Sequence, residues 1–168
     1  GNHENILNKT GNGDFSFCKF ANEGEMVKLF MEEKYGDEVL YVISCFEKSL
    51  PLAAAFPECI ISHAEPLRAF SRQEIIDGLK NGETVKGLTW TENNKAKAGG
   101  VEAMLCTLTG RKDFLNARYI AGHRPVKENY ALRQNGYFVQ IHNPDRQNIA
   151  LVHADRAFNP EKDIVCVE

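Results

Sequence analysis

Two neighbouring segments near the start of the chain differ in their pattern of apolar and polar residues. Between residues 25 and 35, apolar side chains interleave with Lys and Glu at helical spacing, which predicts an amphipathic helix that ends at Gly36. We expect its apolar stripe to pack into the core. The stripe consists of Met26, Val27, Phe30, Met31 and Tyr35. The next segment, Val39 to Leu50, fits strand alternation as well as helical spacing, so periodicity leaves its structure open.

The middle of the chain alternates between strand and helix patterns. The run Cys59–Ser62 is short and contains β-branched residues, which predicts a buried strand. Ser71 and Glu74 have the spacing of a capping box, so we expect a helix that runs to about Lys80. The pair Asn81-Gly82 is expected to end it.

Strands become more frequent toward the C-terminus. A loop over 93–100 and a helix over 101–108, closed by Gly110, precede a predicted strand at 118–121. Asn135-Gly136 predicts a hairpin turn between the first two of four later runs. These runs lie at residues 130–133, 137–141, 149–152 and 164–167. Helices interleaved with strands first, and strands in series later, predict a mixed α/β sheet covered by helices, with antiparallel strands toward the C-terminus.

Histidines follow two of the predicted strands. His63 ends the apolar run that begins at Ile60, and His123 ends the run that begins at Tyr119. The first four residues, Gly1-Asn2-His3-Glu4, place an amide, an imidazole and a carboxylate on one tight turn. A strand delivers a polar side chain to the edge of its sheet, so all three segments can share one site. A histidine at a strand end is, however, more often a surface or hydrogen-bonded residue than a ligand.

Composition and charge argue against several classes of protein. The chain of 168 residues suits one domain with a sizeable core, and no apolar run approaches the ~20 residues that span a bilayer. The net charge of −3, without a basic block, argues against nucleic acid as a partner. Five widely spaced cysteines, mostly among apolar residues, predict buried thiols in a reducing compartment, and hence a cytoplasmic protein.

Taken with the tetrad and the two histidines, two further motifs resemble those of a known family. They are Ser49-Leu50-Pro51-Leu52-Ala53-Ala54 and Leu88-Thr89-Trp90-Thr91-Glu92-Asn93. In this order and spacing, the four motifs resemble the calcineurin-like metallophosphoesterases, most closely the serine/threonine phosphoprotein phosphatase branch. The resemblance extends from Gly1 to about Pro125. It implies a metallophosphoesterase-like α/β fold, in which a mixed β-sheet sandwich is flanked by helices. The fold is expected to form a single domain over 1–168. The resemblance also implies a helix at Val39–Leu50.

The resemblance also implies roles for individual residues. Asn2, His63 and His123 are expected to ligate the second of two divalent or trivalent metal ions (Mn, Fe or Zn), and His3 is expected to be the general acid that protonates the leaving group. His142 falls where the family has a loop bordering the site, and Trp90 lies in a segment that lines it. A structural role for His142, and a place in the core for Trp90, are the competing interpretations.

Two motifs of the family do not occur in these 168 residues. Asp-x-His and Gly-Asp-x-x-Asp-Arg-Gly, which hold the first metal and bridge to the second in such enzymes, are both missing. We therefore expect a fragment that lacks the N-terminal strands of the domain and is inactive by itself.

The sequence departs from the family pattern at two further places. Ala64 and Glu65 replace two glycines after His63, which puts an anionic group near the predicted ligand. The phosphate-clamping arginine expected between residues 92 and 100 is absent, with Lys95 and Lys97 in that loop instead. A lysine cannot make the bidentate contact of a guanidinium, so Arg68 and Arg124 become candidates for binding phosphate beside these two lysines.

Three hypotheses for function remain. The leading one is a metal-dependent phosphoesterase, serine/threonine phosphatase-like, acting on a phosphorylated protein or a small phosphoester through a metal-activated water. The second is a nucleotide hydrolase of the dinucleoside tetraphosphatase type, which the alanine after His63 resembles slightly. The third is a catalytically dead domain used for binding.

Overall fold

The computed structural model describes residues 1–3, 9–10, 13–14, 23–78 and 81–167. The strands are β1 Lys9–Thr10, β2 Gly13–Asp14, β3 Ala53–Phe56, β4 Cys59–Ser62, β5 Arg118–Ala121, β6 Ala131–Arg133, β7 Phe138–Gln140, β8 Gln147–Ala150 and β9 Ile164–Val167. The helices are α1 Glu23–Ser49, α2 Arg72–Ile76, α3 Gly82–Thr89, α4 Gly100–Thr109 and α5 Pro160–Asp163, with a 3-10 turn at Gln134–Gly136.

The main sheet has five strands in the order β3-β4-β5-β7-β6. Its three central strands, β4, β5 and β7, run parallel to one another. The outer strands β3 and β6 run antiparallel to their neighbours. Two small antiparallel sheets, β1-β2 and β8-β9, complete the described strands. The predicted mixed sheet is confirmed, and its central strands all end at the same edge.

Alternation along the central strands divides the core into two layers. Ile60, Tyr119 and Phe138 point to the face covered by α3 and α4, where Leu88 and Met104 are buried with them. Cys59, Ile120 and Val139 point to the opposite face, where they pack with Phe158 and Ile164 from the C-terminal segment. The sheet is therefore covered by helices on one side and by the β8-β9 segment on the other.

Local signals identify the start of α2 and the end of α4. Ser71 Oγ accepts the Glu74 N–H at 3.2 Å and Glu74 Oε2 accepts the Ser71 N–H at 2.8 Å, which confirms the predicted capping box. Gly110 closes α4 in the left-handed conformation that only glycine adopts freely. The interpretation of Asn81-Gly82 as a stop is incomplete, because the Asn81 side chain accepts the Glu83 N–H and thereby caps the start of α3.

Helix α1 differs from the expectation in its burial. Gly36 adopts φ 76° and interrupts the helix where it was expected to stop, and the residues after it are helical. The predicted core stripe is wrong: Met26 is 66% exposed and Phe30 55% exposed. In the part of the chain that the structure describes, α1 buries only a small cluster around Leu40. Periodicity identifies an amphipathic helix but does not show that a partner covers its apolar side.

Two other expectations need correction. Strand β3 was not predicted, because Ala53–Phe56 has no alternating pattern.

The thiols were expected to be buried, yet Cys45 and Cys166 are exposed while Cys59 is buried. The four cysteines that the structure describes are all free thiols. None of the described helices is long and apolar enough to cross a membrane.

Candidate functional site

Three parallel strands deliver histidines to one edge of the main sheet. β4 leads directly into His63, β5 reaches His123 through Gly122, and β7 reaches His142 through Ile141. The Gly122 N–H donates to the His63 carbonyl at 3.1 Å, which continues the strand pairing up to the histidines. As a result, the rings of His63 and His123 lie with their centroids 5.1 Å apart.

The N-terminal turn meets these strand ends. Asn2 is 7% exposed, and its Oδ1 lies 2.7 Å from Nε2 of His63. The ring of His3 lies 6.2 Å from that of Trp90, which in turn lies 6.1 Å from the ring of His123. Glu4, the last member of the tetrad, falls outside the described residues.

These residues surround a cavity of about 800 Å³, called here the histidine cavity. Its lining consists of Asn2, His3, His63, Lys86, Trp90, Glu92, His123, Arg124, Pro125, His142 and Pro144. The structure thus brings Asn2, His3, His63 and His123 together, and it adds Arg124 and His142 from the wider set of candidates. Trp90 is part of the cavity wall.

His123 has an unusual environment. Burial is the main reason why its pKa falls to about 4, and the neighbouring charges of Arg124, His3 and His142 lower that pKa further, against an opposing effect of Glu92. The imidazole is therefore neutral at neutral pH. Its Nε2 is buried and has no hydrogen-bond partner among the described residues, and its backbone adopts φ 60°.

Arg124 is the strongest anion-binding candidate in the cavity. Its Nη2 lies 3.2 Å from Oε1 of Glu92, and both residues line the cavity wall. Lys86, on α3, adds a second cationic side chain to the same wall. Lys86 was missed because the helix that carries it was missed. Asn81 followed by apolar residues at Val85 and Leu88 is an ambiguous signal, because Asn-Gly also suits the end of a helix.

The other candidate cations lie elsewhere. Arg68 donates to Glu74 at 2.8 Å and stacks over Phe70, with its guanidinium carbon 4.1 Å from the ring centroid. Lys95 borders a separate groove of about 460 Å³ next to the histidine cavity. Lys97 appears in neither lining; its backbone N–H donates to Leu67. The structure therefore does not bring Arg68, Lys95 and Lys97 to the histidines.

Glu65 also lies away from the cavity lining. Its carboxylate is buried and contacts Gln134 and Arg133. The carboxylate expected beside His63 thus does not line the histidine cavity and is held by Gln134 and Arg133 instead. Its partners are Arg133, the last residue of β6, and Gln134, the first residue of the turn that follows.

The donor atoms in the cavity suit a metal ion that prefers nitrogen and neutral oxygen. Within the described ranges, there is no group of three or more His, Cys, Asp and Glu side chains placed to hold a metal. The set found here is two imidazoles and one amide. Ligand distances of about 2.1 Å put neighbouring donors about 3.4 Å apart on one tetrahedral ion, so the 2.7 Å between Asn2 Oδ1 and His63 Nε2 would widen slightly for both to bind it. The orphaned Nε2 of His123 is a third donor without a competing partner among the described residues.

Comparison with known proteins finds similarity in three-dimensional structure but not in sequence. No protein-family model matches the chain, and no curated protein matches its sequence. Among solved structures, the chain is similar to a protein serine/threonine phosphatase from Saccharomyces cerevisiae with similarity to human phosphatase PP5, with a TM-score of 0.56 and 12% identity. The match covers 99% of this chain and 57% of that one, so the chain spans little more than half of its length. At this identity the likeness shows the fold alone: the chain has a metallophosphoesterase-like α/β fold.

Proposed function

We propose that residues 1–168 supply one half of the active site of a metal-dependent phosphoesterase of the serine/threonine phosphatase type. In this proposal, Asn2, His63 and His123 hold one metal ion, and carboxylates from outside these residues complete a dinuclear site. The substrate is a phosphomonoester, either on a protein or on a small molecule.

The observation that carries the proposal is the burial of His123 Nε2 without a hydrogen-bond partner among the residues described, next to the paired donor atoms of His63 and Asn2. Nε2 of His123 is buried without a hydrogen-bond partner in the described part of the chain, although an unsatisfied buried polar atom is costly. The adjacent His63 Nε2 faces Asn2 Oδ1. A cation held by the three donors would satisfy all of them.

Other residues of the cavity have roles that follow from their positions. When bound, the metal ions would supply Lewis acidity at the phosphoryl group and lower the pKa of water. Arg124 holds a phosphoryl oxygen with its guanidinium, exchanging part of its contact with Glu92 for a contact with the substrate. His3, which lines the same cavity beside Trp90, donates a proton to the leaving oxygen.

Metal binding by the chain itself tests the proposal. We expect residues 1–168 to bind one Co²⁺ or Zn²⁺ ion in equilibrium dialysis, weakly, because all three ligands are neutral. His63→Asn and His123→Asn should each lower the affinity. His153→Asn is the matched control, because His153 lies beside Asp163, away from the cavity. Equal affinity in all variants, or no binding by the wild-type chain, would contradict the proposal.

A further inference from the structure

A buried carboxylate lies two residues after His63. Glu65 is 4% exposed, and its Oε1 accepts a hydrogen bond from Gln134 Nε2 at 2.5 Å. Its Oε2 lies 3.5 Å from Nη2 of Arg133. Burying a charge is costly unless it is paired, so these contacts fix the segment after β4 to the end of β6 and to the turn that follows it.

Arg133 has a second partner. The same Nη2 donates to Oδ1 of Asn94 at 2.9 Å. Asn94 lies two residues after Glu92 in the sequence. One guanidinium nitrogen thus connects the segment after His63 with the segment after Trp90.

Backbone conformation at this junction is also unusual. Asn94, Gln134 and Asn135 adopt φ angles of 66°, 47° and 56°. Within the described ranges, the only other non-glycine residue with positive φ is His123. Such conformations are unfavourable for residues with a Cβ atom and persist where surrounding contacts hold them. Here Glu65 accepts a hydrogen bond from Gln134, Arg133 donates to Asn94, and Asn135 donates to Glu102 at 3.2 Å.

The segment that contains Trp90, Glu92 and Asn94 forms one wall of the histidine cavity through Trp90 and Glu92. Trp90 lies against His3 and His123, and Glu92 pairs with Arg124. We propose that Glu65 is a positioning residue that acts through Arg133 and Asn94 to hold residues 90–94 as a wall of the histidine cavity. This role does not depend on the chemistry proposed above, because it concerns only the placement of the wall.

Trp90 is the single tryptophan of the chain and reports directly on this wall. Asn94→Gly removes the acceptor for Arg133 but permits the positive φ, so it should leave the protein folded. We expect a red shift of Trp90 emission and stronger quenching by acrylamide. Asn94→Asp keeps an oxygen acceptor and should behave like the wild type. Asn93→Gly, the same substitution one residue earlier, is the control, since no side-chain hydrogen bond is found for Asn93 in the described structure.

Glu65→Gln tests the other end of the connection. It removes the charge that pairs with Arg133, and we expect the same direction of change in Trp90 quenching, with far-UV circular dichroism unchanged. Combined with Asn94→Gly, it should add little, because both substitutions break one connection.

Unchanged quenching in Asn94→Gly, or fully additive effects in the double variant, would overturn the proposal. If Glu65→Gln unfolds, the comparison of Asn94→Gly with Asn94→Asp and Asn93→Gly still decides it. A wild-type chain that binds no metal contradicts the proposed function but leaves this comparison intact.

Discussion

Nε2 of His63 lies 2.7 Å from Oδ1 of Asn2, although 61 positions separate the two residues. This contact joins the N-terminal turn to the end of β4, and it occupies the two atoms that the proposed site assigns to a metal ion. A cation that enters between them must replace the hydrogen bond with two ligand bonds. The contact therefore holds the two donor atoms close together and also competes with the metal for them.

Substitutions at Asn2 should change metal affinity in opposite directions. Asn2→Asp replaces a neutral donor with an anionic one, which should tighten binding of Co²⁺ or Zn²⁺. Asn2→Ala removes the donor and should weaken binding. Equilibrium dialysis of both variants beside the wild type measures the two shifts. Equal affinities in the two variants would mean that Asn2 is not a ligand.

Substitution of His3 should lower the turnover rate and leave metal binding unchanged, whereas substitution of His63 or His123 should lower metal binding. In a preparation that hydrolyses p-nitrophenyl phosphate, His3→Asn should leave bound metal unchanged and lower kcat by ~10²–10⁴-fold, as for loss of a general acid. Metal analysis of the same samples used for kinetics separates the two effects. Loss of metal from His3→Asn equal to that from His63→Asn would instead identify His3 as a ligand.

Residues 1–168 by themselves should show no phosphatase activity above background, even with excess Mn²⁺. Among the residues described around the cavity, the one carboxylate is Glu92, and it is paired with Arg124. Without carboxylates to hold and bridge a second ion, most of the stabilisation of the transition state is missing.

A separately expressed segment that carries Asp-x-His and Gly-Asp-x-x-Asp-Arg-Gly motifs should raise the bound metal from one ion to two and restore turnover with it. Metal-dependent hydrolysis of p-nitrophenyl phosphate by residues 1–168 alone, abolished by His3→Asn, would contradict this prediction.

The ion pair between Asp163 and Arg156 in the C-terminal segment should make the free energy of unfolding depend on pH. Asp163 is 1% exposed, and its carboxylate pairs with both terminal nitrogens of Arg156 and accepts the Asn159 N–H at 2.7 Å. Arg156 is the main reason why the pKa of Asp163 falls to about 2. An acid with a lowered folded-state pKa stabilises the fold above its unfolded pKa of about 3.9 and loses that contribution as pH falls toward 2.

Urea denaturation between pH 5 and pH 2 measures this contribution. Asp163→Asn should reduce stability at pH 5 and flatten its dependence on pH over this range. Glu161→Gln, an exposed acid of the same helix, is the control and should keep the wild-type slope. Parallel pH curves for the wild type and Asp163→Asn would show that the ion pair does not contribute.

The convergence of the histidines was accessible from the sequence because it depends on strand direction. Once β4 and β5 are parallel, residues that follow them lie at the same edge, whatever the length of the connection. The position of Arg68 was not accessible. Proximity in sequence to His63 suggested a role in the site, but Glu74 and Phe70 hold its side chain elsewhere.

Two other features depended on contacts that local patterns do not contain. Lys86 was overlooked because Asn81-Gly82 serves equally well as an end and as a beginning of a helix, and only the hydrogen bond to Glu83 distinguishes them. The exposure of the α1 stripe depends on what packs against the helix, and that is a property of tertiary structure.

The placement of three histidines after β4, β5 and β7 also affects how the cavity responds to fluctuations. The Gly122 N–H donates to the His63 carbonyl, and the Ile141 N–H donates to the Ala121 carbonyl at 3.0 Å. Ladder bonds between buried central strands open mainly when the whole sheet unfolds, so their amide protons exchange slowly with solvent. The spacing of the backbone positions that carry the imidazoles is therefore as durable as the sheet itself, and a local opening of the surrounding loops leaves it intact.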